Sequence, residues 1–395
     1  MVSGRFRTAL VKLHLYIGLV FGLLFILLGL TGTVISWRDE IDKWLNPDLL
    51  EAASATRIPV GAATVESVTA KLMADPQYGK PNLLMLPTNE HDVFVAWYPI
   101  KGPEAGPGRS RQVMIDPITL AVKGERFWGV PGLSRQQLMP TVFHLHRYLL
   151  SGETGKTIIG VTGMMLFISV VLGIVLWWPK LTRRALKQSV RITHGGSWSR
   201  FIYTFHRAGG IFVAPVLATI AFSGWYLNLP KWVTPIIGSV MTVSPPAKHH
   251  SDTPPPGTHA ITPAQAMTAA QKQFPGALVT RVSLPRKPGD AYEVRLRQDG
   301  EVRADSGATR LWLDAYTGRP LGVRDPRAAP SGDTFINWLF PLHTGEAFGT
   351  FGRAFITVFG LIPLAFAVTG VLIWWKRRGG HRRHVEREKA RLKRA

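Results

Sequence analysis

Four long apolar runs, about residues 9–37, 156–178, 201–228 and 351–375, are separated by a short basic loop and two much longer polar connections, 39–150 and 229–345. Each run exceeds the ~20 residues that a helix rising 1.5 Å per residue needs to cross ~30 Å of hydrocarbon. The pattern predicts an α-helical membrane protein built on a four-helix transmembrane bundle. Arg5, Arg7 and Lys12 precede or open the first run, as they would in a signal peptide. The run is too long for a signal core, and ISWRDEIDKW has no small-residue cleavage site, so it is expected to be retained.

Both long connections show the same order of periods. In the second, ITPAQAMTAAQKQFP predicts a helix capped by Thr262 with Pro263 in its first turn. The alternating stretches ALVTRVSLP, AYEVRLRQ and TRLWLDAYTG then predict antiparallel strands. In the first connection, ATVESVTAKLMA predicts the helix, and NLLMLP, DVFVAWYP and RQVMIDPITLAV the strands. Asp116 and Asp314 occupy equivalent strand–turn endings. SPPAKHHSDTPPPG and KGPEAGPGRS read as linkers. The expectation is a tandem duplication of span, helix-plus-strands domain and span, with sites at the repeat interface by analogy with transporters.

The net charge of +22 is concentrated in three places. They are the N-terminus, the loop 179–200 and the tail 376–395, and all fall on one side of a four-span topology. The positive-inside rule makes that side cytoplasmic, with both termini there and the long connections opposite. Topology and contact with anionic membrane lipid explain the charge. No recognition module accompanies it, so no nucleic-acid partner is expected. The absence of cysteine excludes disulfides, thiolate-held iron–sulfur clusters and covalent CxxCH haem attachment.

Histidines recur at matching positions in the two halves. His14 in VKLHLYIG and His206 in YTFHRAGG each open an apolar run, and each lies 18 residues before a glycine, Gly32 and Gly224. His146 and His343 each lie 31 residues before the first tryptophan of LWWPK and IWWKR. Ionisable residues within spans are functional candidates by default. His14 shares a helical face with Gly18 and Gly22, and His206 with Gly210 and Ala214. Small residues there leave room for a flat macrocycle, although G-x-x-x-G faces also simply let helices pack. The pairs His14/His206 and His146/His343 are therefore expected to ligate two non-covalent, bis-histidine haems, in two layers. His144 has no counterpart, since Pro341 stands in the other half; it is an alternative ligand, a propionate partner or part of a substrate site. Arg147, Arg207 and Arg353 flank these positions as propionate partners or as snorkelling interface residues. Tyr148, Trp338 and Phe340 are aromatic positions near the second histidine pair and candidates for lining an acceptor pocket. His91, His194, His249, His250, His259, His381 and His384 read as solvated, and the paired tryptophans as an aromatic belt. No dinucleotide fingerprint and no H-E-x-x-H motif occurs.

A helix and short strands ending in a D-x-x-T-G turn resemble a PepSY domain, and two of them between histidine-bearing spans resemble the PepSY-associated transmembrane family. The turn is complete at Asp314–Gly318 and partial in the first half, where Leu120 replaces the glycine. The family includes bacterial inner-membrane ferric-siderophore reductases of the FoxB type. The resemblance implies two periplasmic α+β PepSY-like domains, b-type haems in the bundle and a periplasmic ferric siderophore as substrate. The expected order is N-terminus (1–8), first span (9–37), domain 1 with its histidine segment (38–155), second span (156–178) and basic loop (179–200). The third span (201–228), domain 2 with its histidine segment (229–350), fourth span (351–375) and basic tail (376–395) follow. The expected activity is a haem-dependent oxidoreductase that reduces the chelate and releases Fe(II). Its electron donor is a quinol or a separate cytoplasmic reductase. The same histidines also suit an electron conduit to a partner protein or quinone pool. A third alternative is a non-enzymatic PepSY scaffold that binds peptide or regulates a protease.

Overall fold

The computed structural model describes residues 4–100, 105–106, 108–246, 248–252 and 257–392, with side chains as far as 379. The side chains of His381, His384 and most of the basic tail, and parts of both linkers, lie outside what is described. The described chain divides into two units. One comprises residues up to Ser36, Thr157–Pro230 and Ala354 onward; the other comprises Trp37–Lys156 and Lys231–Arg353.

The first unit contains the apolar helices. Four stretches are long and apolar enough to cross a membrane: Gly4–Ile35, Gly152–Trp177, Trp198–Asn228 and Glu346–Gly379. The last is not one continuous helix. It breaks between Gly349–Phe359 and Ile362–Leu392, where Pro363 cannot donate a backbone hydrogen bond. The Leu361 amide turns back to Val358 instead of reaching Thr357, and the Thr33 hydroxyl donates to the freed Thr357 carbonyl at 2.9 Å. Glycines bring the backbones together at that point. A Cβ on Gly29 would stand 2.3 Å from the Gly360 carbonyl oxygen, and one on Gly360 would stand 2.7 Å from that of Gly29. The second and third long helices close in the same manner, with a Cβ on Gly163 falling 2.9 Å from the Trp225 amide nitrogen. Small residues are what permit such approach where no hydrophobic force separates helix from lipid.

The second unit is built on one antiparallel sheet of eight strands. They are β1 (Leu83–Met85), β2 (Phe94–Pro99), β3 (Ser110–Ile115), β4 (Val122–Trp128), β5 (Leu278–Ser283), β6 (Tyr292–Arg297), β7 (Thr309–Leu313) and β8 (Pro320–Arg324). Their order is β4-β3-β2-β1-β5-β6-β7-β8. The two expected strand sets are thus a single sheet, joined where Leu84 of β1 faces Val282 of β5. β4 and β8 escape the alternation pattern because each carries a register shift and a glycine, Gly124 or Gly322.

The helices Ala62–Ala74 and Pro263–Gln273 lie on one face of this sheet. The second begins at the expected cap: Thr262 accepts from the Gln265 amide, and the Gln265 side chain accepts from the Thr262 amide. Val65, Val68 and Leu72 of the first helix and Ala266, Met267 and Ala270 of the second bury against Leu84, Phe94, Val282, Val294 and Leu311. Full burial of a side chain of this size contributes about 1.5–3 kcal/mol, so this layer is the main source of the unit's stability. The strand-end turns match. Asp116 accepts from the amides of Ile118, Thr119 and Ala53, and Asp314 from those of Tyr316, Thr317 and Asp252. Gly318 takes φ +69°, and Leu120 adopts φ +57° at the equivalent place despite its side chain.

Candidate functional site

His14 and His206 come from different apolar helices, Gly4–Ile35 and Trp198–Asn228, and their ring centroids stand 6.3 Å apart at 82°. Each ring is held from behind at Nδ1. In His14 this nitrogen lies 3.0 Å from the Ser169 carbonyl oxygen and 3.1 Å from the Ser169 hydroxyl. A carbonyl only accepts, so Nδ1 carries the hydrogen and Nε2 keeps a lone pair. In His206 the partner is Thr369 Oγ1 at 2.8 Å, and that hydroxyl donates to the Ala365 carbonyl at 2.8 Å. His206 therefore also donates from Nδ1, and its Nε2 is the basic nitrogen.

A second repeat supports both rings. Gly173 and Gly370 each stand four residues before a tryptophan pair. The Cβ position of Gly173 lies 3.7 Å from His14 Cε1, and that of Gly370 lies 3.6 Å from His206 Cε1. The halves differ elsewhere. Phe366 packs on His206 with ring centroids 5.1 Å apart and meets the Cβ position of Gly210 at 3.5 Å. Gly18, at the corresponding place beside His14, has nothing within 4 Å.

The other pair belongs to the second unit. His146 ends the helix Arg135–Tyr148 and His343 the helix Ser331–Thr344, and their centroids stand 6.4 Å apart at 61°. The chain then turns sharply. Leu149 and Leu150 both take left-handed φ, +46° and +55°, and Gly345 takes +81°. Nine residues after each histidine stands a glycine that tolerates no side chain. A Cβ on Gly155 would lie 1.6 Å from the Tyr148 carbonyl oxygen, and one on Gly352 would lie 2.1 Å from that of Gly345. These contacts fix the exit of each histidine helix.

His144 points elsewhere. It is 3% exposed, stacks on Tyr148 with centroids 5.0 Å apart, and borders Trp128 and Phe143. Its Nε2 is buried with no hydrogen-bond partner. Burial, reinforced by Arg109 and Arg147, pushes its pKa down to about 4, so it is neutral at pH 7.

The flanking arginines divide. Arg353 forms a two-pronged pair with Glu40, at 2.6 and 2.7 Å, and lies over the Trp37 ring. Arg147 lies beside the Tyr148 ring, and Arg207 donates to the Gln188 carbonyl; each retains a buried Nε with no partner. Phe340 lies under the Arg303 guanidinium at 4.1 Å, and Trp338 is exposed. His249, which reads as solvated in the sequence, stacks on Trp312 with centroids 4.4 Å apart.

Among the described residues no group of three or more His, Asp or Glu is placed to hold a metal ion. Two imidazoles alone do not complete the shell of a bare transition metal, whereas two axial imidazoles complete that of iron already held in a macrocycle. The supporting residues Ser169, Thr369, Gly173 and Gly370 were not singled out from sequence. The shared four-residue spacing from glycine to tryptophan is a signal that finds two of them.

No curated protein matches the sequence. A family model described as PepSY-associated TM region matches residues 11–377, nearly the whole chain. This membrane protein belongs to the PepSY-associated transmembrane family.

Proposed function

We propose that the chain is a di-haem b-type reductase of the bacterial inner membrane, which passes electrons across the membrane to reduce a periplasmic ferric siderophore and release Fe(II). His14 with His206, and His146 with His343, would each hold one haem through Nε2. The observation that carries the reading is the equal spacing of the two pairs, 6.3 and 6.4 Å between ring centroids. Two imidazole–metal bonds of about 2 Å, with roughly 1 Å from ring centre to nitrogen on each side, give a separation of about 6 Å. The Nδ1 bonds of His14 and His206 add support, because such partners fix the tautomer and raise the basicity of the ligating nitrogen. The unpartnered Nε atoms of Arg147 and Arg207 suit carboxylate-bearing groups such as propionates.

When bound, haem supplies reversible one-electron transfer. The chain's own residues do the rest. Apolar helix faces exclude water from the first pair, Ser169 and Thr369 hold the two rings, and the glycine-locked exits orient the second pair. Reduction to Fe(II) weakens an oxygen-donor chelate that prefers the harder ferric ion, which releases the metal. The electrons enter from a quinol or a separate cytoplasmic reductase. The two strand sets are read as PepSY-like halves of a duplicated chain, facing the periplasm, with both termini cytoplasmic. The charge distribution and the matched Asp116 and Asp314 turns support that reading.

The test is reoxidation. Detergent-purified protein is reduced anaerobically, freed of reductant and mixed with a ferric siderophore, while a ferrous-specific chelator reports Fe(II). Stoichiometric haem reoxidation with Fe(II) capture supports the proposal. Haem that stays reduced contradicts it.

A further inference from the structure

The alternation that builds β5–β7 directs valine and leucine to the face covered by the two helices and arginine to the other. Pairing then aligns the arginines. Arg281 lies opposite Arg295, Arg295 opposite Arg310, and Arg310 opposite Arg324. The same row continues through Met85, Val95, Met114 and Gly124 of β1–β4, where it carries no charge. Like charges directly opposed on antiparallel strands are destabilising. A run of four in one half of a sheet is therefore not explained by the needs of the fold.

The carboxylates present only partly balance it. Glu293 stands 3.6 Å from Arg281 and 3.7 Å from Arg310, and Asp305 pairs with Arg303 at 3.3 Å. Arg295, in the middle, is 7% exposed, and its Nε is buried without a partner, as is that of Arg281. Burial first, then the neighbours Arg281, Arg310 and Arg303, pull the pKa of Arg295 down to about 9. Two residues along the strands on the same face, Ser283, Glu293 and Trp312 line a cleft of about 400 Å³ together with Arg286 and Asp290, and His249 stacks on Trp312 there. The row thus holds more guanidiniums than the carboxylates that neighbour it, Glu293 and Asp305, and Glu293 stands between the row and this cleft.

We propose that the row Arg281–Arg295–Arg310 and the adjoining cleft bind a carboxylate-bearing anion, and, resting on the reductase reading, that this anion is the ferric chelate itself. The chain then selects negatively charged chelates over cationic ones. Guanidinium forks match carboxylates two bonds at a time, and a half-buried site strengthens each bond.

The experiment separates binding from reduction by using gallium(III) citrate, a redox-inert anionic chelate, against a cationic gallium(III) trihydroxamate. Calorimetry on haem-loaded full-length protein compares wild type with Arg281→Gln, Arg310→Gln and Arg295→Lys. The expected result is salt-sensitive binding of the citrate complex, weakened at least about tenfold by Arg310→Gln. Haem content should stay unchanged, and the unliganded thermal midpoint should not fall, since removing an opposed charge relieves the row. Added gallium citrate should also raise the wild-type midpoint, a readout that needs no variant. Equal affinity for both chelates, unchanged binding in the variants, or loss of haem in place of chelate binding would each overturn the proposal; the last would assign the arginines to propionates. Binding through these residues without any reduction of a ferric chelate would retire the reductase reading and leave the anion site standing. Reduction of cationic and anionic chelates at equal rates would do the reverse.

Discussion

His206 donates from Nδ1 to Thr369 Oγ1 at 2.8 Å, and Thr369 passes its own hydrogen to the Ala365 carbonyl, so one hydroxyl settles which nitrogen of His206 is basic. Thr369→Val keeps the shape and removes the acceptor. It is expected to cut haem retention at the first pair by about 10- to 100-fold, the usual scale for losing such a support. Thr369→Ser should restore it. The haem-to-protein ratio after dialysis against apomyoglobin measures both.

Gly18 lies four residues from His14 with nothing within 4 Å of its Cβ position. Gly18→Leu therefore meets no protein atom at its Cβ, and its thermal midpoint should stay near wild type. A macrocycle on His14 and His206 would meet the new side chain. The variant is expected to lose one haem and keep the other, read by difference spectra.

Gly155→Ala places a Cβ 1.6 Å from the Tyr148 carbonyl oxygen, where only backbone movement relieves the contact. The expected cost is about 2 kcal/mol or more, beyond ordinary helix substitution. Unfolding in detergent checks it. Gly352→Ala should behave alike, because its clash with the Gly345 carbonyl is the same in kind.

Asp116 and Asp314 give the sheet-bearing unit an acid limit. Burial alone would raise both carboxyls, yet the amides that donate to them outweigh it and hold both below the ordinary 3.8. The unfolded chain thus takes up protons first as pH falls. The stability from these groups is present above that value and is lost as pH drops through the folded pKa. Asp314→Asn sets an amide donor against the Asp252 amide or leaves it unpaired, which costs about 1–3 kcal/mol at neutral pH. It should also flatten the acid dependence, followed by near-ultraviolet dichroism between pH 6 and 2.

The elements set by short-range pattern were legible in the sequence. The four spans follow from apolar length, the helix at Pro263 from its Thr262 cap, and the paired histidines from their repeated spacing. Features set by long-range register were not. Alternation places Arg281, Arg295 and Arg310 on the outward face of three strands, but it cannot show that they stand side by side. It also gives no sign that Leu84 meets Val282 and fuses two strand sets into one sheet. The break before Pro363 was hidden because its neighbours are as apolar as the span around them. His144 reads in the sequence as an alternative ligand, a propionate partner or part of a substrate site; two positions along a helix point to different sides, and its ring stacks on Tyr148 apart from the His146/His343 pair.

The most direct test is an absorption spectrum with pyridine-haemochrome quantitation on detergent-purified wild type, His14→Ala and His343→Ala, from haem-replete cells. The account predicts two b-type haems per wild-type chain and one in each variant. Colourless wild-type protein, or variants that keep both haems, would contradict it.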